Sequence, residues 1–233
     1  MVMVGILGGM GPMATVDLFE KIVRCTPAHV DQEHLKMIIY NNPQIPSRVD
    51  AIIKLTESPQ EELIRSARFL ERMGADFLVM PCNTAHYWYE DIKNAISIKM
   101  INMVENTAKW VADQVANKNI GQIMLFATDA TVKAEIYQKG FADKGLTILT
   151  PTAKEQRMIS LAIEEVKAGQ IENNQWLGKM DEIISGYREN GVESFVAGCT
   201  EIPILFEHLK GDYNRIDPTL LLAKEVVRCA IKS

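Results

Sequence analysis

Two cysteines stand at the ends of apolar runs, each followed by a hydroxyl residue. One run reads Phe77-Leu78-Val79-Met80-Pro81-Cys82-Asn83-Thr84-Ala85-His86 and the other Ser194-Phe195-Val196-Ala197-Gly198-Cys199-Thr200-Glu201-Ile202-Pro203. A cysteine taken singly is most often a small buried hydrophobe. Cys25 and Cys229, on helically patterned stretches with nothing notable beside them, are read that way. Cys82 and Cys199 differ because each closes a strand-like run and opens a polar loop before a helical stretch. Backbone donors and a helix N-terminus there lower a thiol's pKa and favour the reactive thiolate. Two matched thiols facing one another across a single site suit one task. A thiolate removes a proton from one face of a carbon while a thiol returns one to the other face, both with pKa values tunable towards neutrality. That is the chemistry of a racemase or epimerase.

Other uses of these residues are weaker. A thiol hydrolase needs one cysteine and a partnering histidine, and has no use for a second thiol. Zinc could draw on Cys82 with His86 and Cys199 with His208, but structural zinc sites show closely paired cysteines, which are absent here, so no metal is expected. A disulfide between the two would be an oxidation artefact in a reducing compartment. His86 reads as a first-turn helix residue with a possible supporting role, and His29, His34 and His208 carry no signal. The turn Gly8-Gly9-Met10-Gly11 frees backbone N–H groups between a strand and a helix, as a phosphate cradle would. A dinucleotide site also wants an acid at the end of the second strand, where this chain has Tyr40-Asn41-Asn42. A carboxylate is the preferred occupant, with a plain tight turn as the alternative.

The elements that must position these residues alternate. Met3–Leu7 reads as a strand, Thr15–Val23 as a helix, Leu35–Tyr40 as a strand, and Pro59–Arg72 as a helix stopped by Gly74. The first cysteine strand follows, then a helix from about Tyr87, a strand Lys99–Met103 and a helix Glu105–Val115. The series restarts with a strand from Ile120 to Phe126, the turn Ala127-Thr128-Asp129-Ala130-Thr131, a helix through Tyr137 and a strand Leu146–Leu149. Helices over Glu155–Lys167 and Asn174–Asn190, the second cysteine strand, and a helix Leu220–Ile231 complete it. Such alternation predicts parallel sheets with right-handed crossovers and ligands at the carboxyl ends of strands. The two halves look like diverged copies, which would leave a cleft between two similar lobes.

At 233 residues, with 47% apolar and 24% charged residues, the composition is that of an ordinary globular chain. A net charge of −5 without a basic cluster argues against nucleic acid or an anionic membrane surface as partner. The opening Met1–Leu7 run lacks a basic start and breaks at Gly8-Gly9, so it reads as a strand rather than a signal peptide. No window is long and apolar enough to span a bilayer. Four cysteines without a signal lead to the expectation of a cytoplasmic protein.

At Gly8-Gly9-Met10-Gly11-Pro12-Met13-Ala14-Thr15, Met80–His86 and Gly198–Pro203 the chain resembles the cofactor-independent aspartate/glutamate racemase family. Ile45-Pro46-Ser47-Arg48 and the 127–131 turn match as well, so the likeness spans nearly the whole chain. The resemblance implies an α/β fold of two flavodoxin-like lobes related by a pseudo-twofold. The first would be 1–101 with 211–233, the second 102–210, with the active site in the cleft. It implies Cys82 and Cys199 as the two bases, no cofactor, an amino-acid substrate and a homodimer. Met10, Asn83, Thr84, Thr128, Thr131, Thr200 and Glu201 would line the substrate site. By position, Arg48 and Lys167 would read a side-chain carboxylate. Glu201 stands where dedicated glutamate racemases usually have histidine, which favours aspartate. Ser47 departs from the acid usual before the arginine.

Overall fold

The computed structural model describes residues 2–116 and 121–232. It divides into two compact units, Met1–Thr107 with Thr219–Ser233, and Ala108–Pro218. The first unit is built on strands β1 (Met3–Gly8), β2 (Lys36–Asn41), β3 (Phe77–Val79) and β4 (Lys99–Met100), all parallel in the order β2-β1-β3-β4. Between them run α1 (Pro12–Cys25), α2 (Arg48–Lys54), α3 (Gln60–Arg72) and α4 (Tyr89–Asn94), and α5 (Met103–Ala116) leads out towards the second unit.

Side chains alternate across a strand, and this sheet is covered on both faces. Val4, Ile6, Phe77 and Val79 pack with Leu18 and Ile22 of α1. Leu7 and Leu78 face the other way, onto Leu63, Ala67 and Leu70 of α3. Burial on both sides explains why β1 and β3 read as unbroken apolar runs rather than alternating ones. In α3, Glu61 and Glu62 lie in the first turn and Arg72 in the last, each sign matching the helix dipole.

The second unit carries β5 (Gln122–Ala127), then α6 (Asp129–Lys133), α7 (Ile136–Ala142), α8 (Ala153–Lys167), α9 (Leu177–Glu189), β6 (Val192–Gly198), α10 (Ile202–His208) and β7 (Asn214–Ile216). Its sheet is parallel in the order β5-β6-β7. Met124, Phe126 and Phe195 pack with Ile159 and Ile163 of α8 and Ile184 of α9. Finally α11 (Pro218–Lys232) returns to the first unit, where Leu222, Ala223 and Val226 join the cluster around Val4 and Ile6.

Four expectations need correcting. The strand at 214–216 pairs with β6 and stays in the second sheet, so only the helix after it rejoins the first unit, not the whole of 211–233. The strand awaited at Leu146–Leu149 shrinks to one bridge, in which Leu149 accepts from Leu125 N–H and donates to the Ile123 carbonyl. Pro151, two residues on, has no N–H with which to extend that pairing. The helix α8 starts two residues before Glu155 because Thr152 and Glu155 form a reciprocal capping box. After Cys82 the chain makes a 3-10 turn, Thr84–Trp88, before α4 begins. The expected strand start at Ile120 lies outside the described residues. Among the described residues no helix is long and apolar enough to cross a membrane.

Candidate active site

In a parallel sheet every strand delivers its following loop to the same edge. In the first unit that edge gathers the turn after β1, the loop after β2 and the Cys82 loop after β3, with Gly8 in register with Asn41 and Ile6 with Val79. The glycine turn is closely fitted. Gly9 has φ +99°, and a Cβ on it would lie 2.3 Å from the Asn42 backbone; a Cβ on Gly8 would strike the Thr15 side chain at 2.4 Å. The Gly9 N–H donates to Thr15 Oγ1 (2.9 Å), which donates in turn to the Gly11 carbonyl (3.2 Å). Met10, between them, is buried with Ile45 and Cys82 in one apolar cluster.

Cys82 is 6% exposed, and its N–H donates to the Met80 carbonyl. Asn83 and Thr84 are buried beside it. Both ring nitrogens of His86 are engaged: Nε2 accepts from the Met103 N–H (3.0 Å) and Nδ1 donates to the Cys82 carbonyl (2.8 Å). Neither remains for a metal. Arg48 begins α2, where Ser47 caps the helix by accepting from the Asp50 N–H. Its Nη1 donates to the Ile45 and Pro46 carbonyls at 3.0 and 2.9 Å, while its Nε is buried without an acceptor among the described residues. Carbonyls fix the guanidinium but do not neutralise it. The Nε–Nη2 edge, which receives a carboxylate side-on through two hydrogen bonds, has no hydrogen-bond partner among the described residues.

The second unit repeats the pattern. Thr128 caps α6 by accepting from the Thr131 N–H (3.3 Å), and the two hydroxyls lie 3.0 Å apart, both buried. Cys199, 7% exposed, follows β6 as Cys82 follows β3, each an interior strand of its sheet. Its thiol donates to Glu201 Oε2 at 2.9 Å, and the Thr200 hydroxyl donates to the same oxygen at 3.1 Å. Burial and the Glu201 carboxylate push the Cys199 thiol well up; the Lys167 charge and the Glu201 N–H pull the other way without prevailing. The general expectation of a lowered thiol pKa therefore fails at Cys199, where desolvation and a like charge outweigh nearby donors. Lys167 ends α8, exposed, within electrostatic reach of that sulfur.

The structure thus gathers Met10, Arg48, Cys82, Asn83 and Thr84 at one sheet edge, and Thr128, Thr131, Cys199, Thr200 and Glu201 at the other. One residue escaped the sequence reading. Gln156 donates to the Ala127 carbonyl (2.9 Å) and to Ser160 Oγ (3.2 Å), which itself donates to Asp129 (2.7 Å). That network fixes the amide's orientation and leaves Oε1 as a buried acceptor without a donor among the described residues. A signal was present: Gln156 occupies the apolar stripe shared by Ile159, Ile163 and Val166.

A family model described as Asp/Glu/Hydantoin racemase matches residues 7–226. The broad specificity amino-acid racemase RacX of Bacillus subtilis is 28% identical over 231 residues, spanning 97% of this chain and 96% of the relative. A glutamate racemase of Aquifex pyrophilus is 28% identical over 164 residues, 69% of this chain and 61% of that protein. Among solved structures, the aspartate racemase of Picrophilus torridus superposes with a TM-score of 0.84 at 30% identity, covering 99% of this chain and 94% of the other.

Proposed function

The chain belongs to the Asp/Glu/hydantoin racemase family, and on that premise we propose that it interconverts L- and D-aspartate without a cofactor, with Cys82 and Cys199 as the two bases. The observation that carries this reading is the pair of buried thiols, each in the loop that follows an interior strand of a parallel sheet and each followed by polar residues. The state of the Cys199 thiol supports a direction. The Cys199 thiol, raised by burial and by Glu201, rests protonated and serves as the acid. Cys82 as thiolate takes the α-proton from one face of the substrate carbon, and Cys199 gives its proton to the opposite face. The enzyme is left with a Cys82 thiol and a Cys199 thiolate, the form that processes the other enantiomer. Next to Glu201 that thiolate is a strong base, which suits return of the proton.

An amino-acid α-proton is weakly acidic, so the carboxylate must be clamped by donors as charge develops. The Gly9–Gly11 turn, Asn83, Thr84, Thr128, Thr131 and Thr200 are the proposed clamp. Arg48 and Lys167 are the proposed readers of the side-chain carboxylate. The Nε–Nη2 edge of Arg48, without a partner among the described residues, supports a dicarboxylic substrate. Arg48→Lys keeps the charge but loses the two-pronged edge, so KM for aspartate is expected to rise roughly tenfold or more with kcat less affected. An unchanged KM would reduce Arg48 to a brace for the Ile45–Pro46 loop. The homodimer implied by the resemblance and the cytoplasmic location expected from the four cysteines without a signal belong to the same proposal; light scattering showing a monomeric mass would remove the former.

The test is proton NMR of L-aspartate and, separately, L-glutamate with reduced protein in heavy water, with chiral separation of products. Loss of the α-proton signal together with appearance of the D-enantiomer is expected for aspartate, and Cys82→Ala or Cys199→Ala should abolish both. The name of the Bacillus relative favours a second reading, the same chemistry on a wider set of amino acids; comparable exchange of glutamate and other amino acids would select it. Binding of aspartate without exchange would instead indicate a non-catalytic carboxylate binder.

A further inference from the structure

The hydrogen bonding around His86 determines its proton. Met103 N–H, the first of α5, can only donate, so Nε2 must be the bare nitrogen (3.0 Å). Nδ1 then carries the hydrogen and gives it to the Cys82 carbonyl (2.8 Å). One ring therefore satisfies an N–H that a helix start leaves without an intrahelical partner and ties it to the peptide of the thiol residue. The ring lies parallel to Tyr89 at 5.9 Å, and the Tyr89 hydroxyl donates to the Met100 carbonyl at 2.8 Å, at the end of β4. Burial holds the His86 pKa down at about 4, so the ring stays neutral and keeps this tautomer at neutral pH. Two side chains, His86 in the 3-10 turn and Tyr89 at the start of α4, thus bind the segment after Cys82 to β4 and to α5. That helix runs on past Thr107 into the second unit.

We propose that His86 is a positioning residue for Cys82, holding the main chain of the base so that its sulfur keeps a reactive orientation. This rests on the two-thiol reading above. A histidine that merely filled the core would need neither this tautomer nor a bond to the carbonyl of the cysteine itself. Residues that orient a metal ligand through one hydrogen bond typically account for about 10- to 100-fold in activity, and a loss of the same order is expected for the thiol here.

Histidine labelled with ¹⁵N gives the first readout, since two-bond nitrogen–proton correlations report which nitrogen carries the hydrogen. Protonation at Nδ1 is expected; protonation at Nε2 would overturn the clamp whatever the kinetics. His86→Phe retains a flat ring against Tyr89 and removes both bonds. With L- and D-aspartate (or glutamate, should that be faster), kcat is expected to fall about 10- to 100-fold in both directions, with KM moving less than about threefold. Only steps through Cys82 should slow. Deuteration of the substrate α-carbon should therefore matter more for the enantiomer that gives its proton to Cys82, and less for the other. Equal isotope effects on both enantiomers, or a kcat near wild type, would refute the positioning role. Cys82→Ala, measured alongside, separates the two failures. Persistent turnover there defeats the two-thiol reading, whereas its loss beside a fully active His86→Phe defeats only this inference. Should the phenylalanine variant not fold, the tautomer in the wild-type protein decides.

Discussion

At the scale of single residues, the proton on Cys199 is held by a carboxylate two positions along the chain. A thiol that donates to Glu201 Oε2 cannot ionise without placing two negative charges in contact. Glu201→Gln removes the charge but keeps a carbonyl acceptor, so Cys199 should ionise at lower pH, though burial still holds it above an ordinary thiol. Alkylation of Cys199 followed by mass spectrometry should show its inflection moving to lower pH in the variant; an unmoved inflection would mean that burial alone sets it. The sign of the stability effect follows. The folded form keeps a proton that the unfolded chain releases above about 9, so stability falls as pH climbs past that value, and the variant should flatten the fall. The two cysteines were legible because a repeated pattern, apolar run then thiol then polar loop, is a sequence property. The bond from Cys199 to Glu201 was not, since neighbours two apart meet only under particular backbone angles. Nor was the orphaned oxygen of Gln156, although a polar residue on an apolar helical stripe marked the position.

The elements position the site through their ends, and the turn after β1 shows how little slack they have. Gly9 sits at φ +99° with the Asn42 backbone against its Cα, so a methyl there meets both strain and main-chain atoms that cannot swing aside. Gly9→Ala should destabilise by more than about 2 kcal/mol and displace the loop that leads to Arg48. Gly11→Ala, with open space where its Cβ would go, should cost far less. Urea titration of both variants checks this, and equal costs would show that the turn is more plastic than its contacts imply. Buried parallel strands were readable at this scale because burial on both faces makes their sequences continuously apolar. Short or capped elements were not. The bridge at Leu149 depends on where Pro151 turns the chain, and the start of α8 depends on the Thr152–Glu155 box, a signature present in the sequence but outvoted there by the apolar spacing alone. The 3-10 turn after Cys82 had no distinguishing pattern, and the tie beside it joins His86 to Met103, 17 positions further along the chain.

At the scale of the whole molecule, the order of the chain is not the order of the fold. The first unit's sheet is complete by Met100, yet the cluster on one of its faces waits for Leu222, Ala223 and Val226, which arrive only after the entire second unit. Without α11, apolar side chains of β1 and β3 such as Val4, Ile6 and Val79 would lose that cover, although their strands and α3 were intact. In the second unit, the cluster around Met124, Phe126 and Phe195 is drawn from 124–213 alone. Leu222 is fully buried, so Leu222→Ala should cost about 2–5 kcal/mol through lost burial and the cavity left behind. The loss should be uneven. Hydrogen exchange should show amides of β1 and β3 losing protection while those of β5 and β6 keep theirs, because local stability follows local packing. Protection lost equally in both sheets would mean that the two units unfold as one cooperative body. An uneven loss carries a consequence for activity. The Cys82 loop follows β3, so alkylation of Cys82 should accelerate in the variant ahead of alkylation of Cys199, and the proposed two-base reaction should fail through one thiol while the other remains in place.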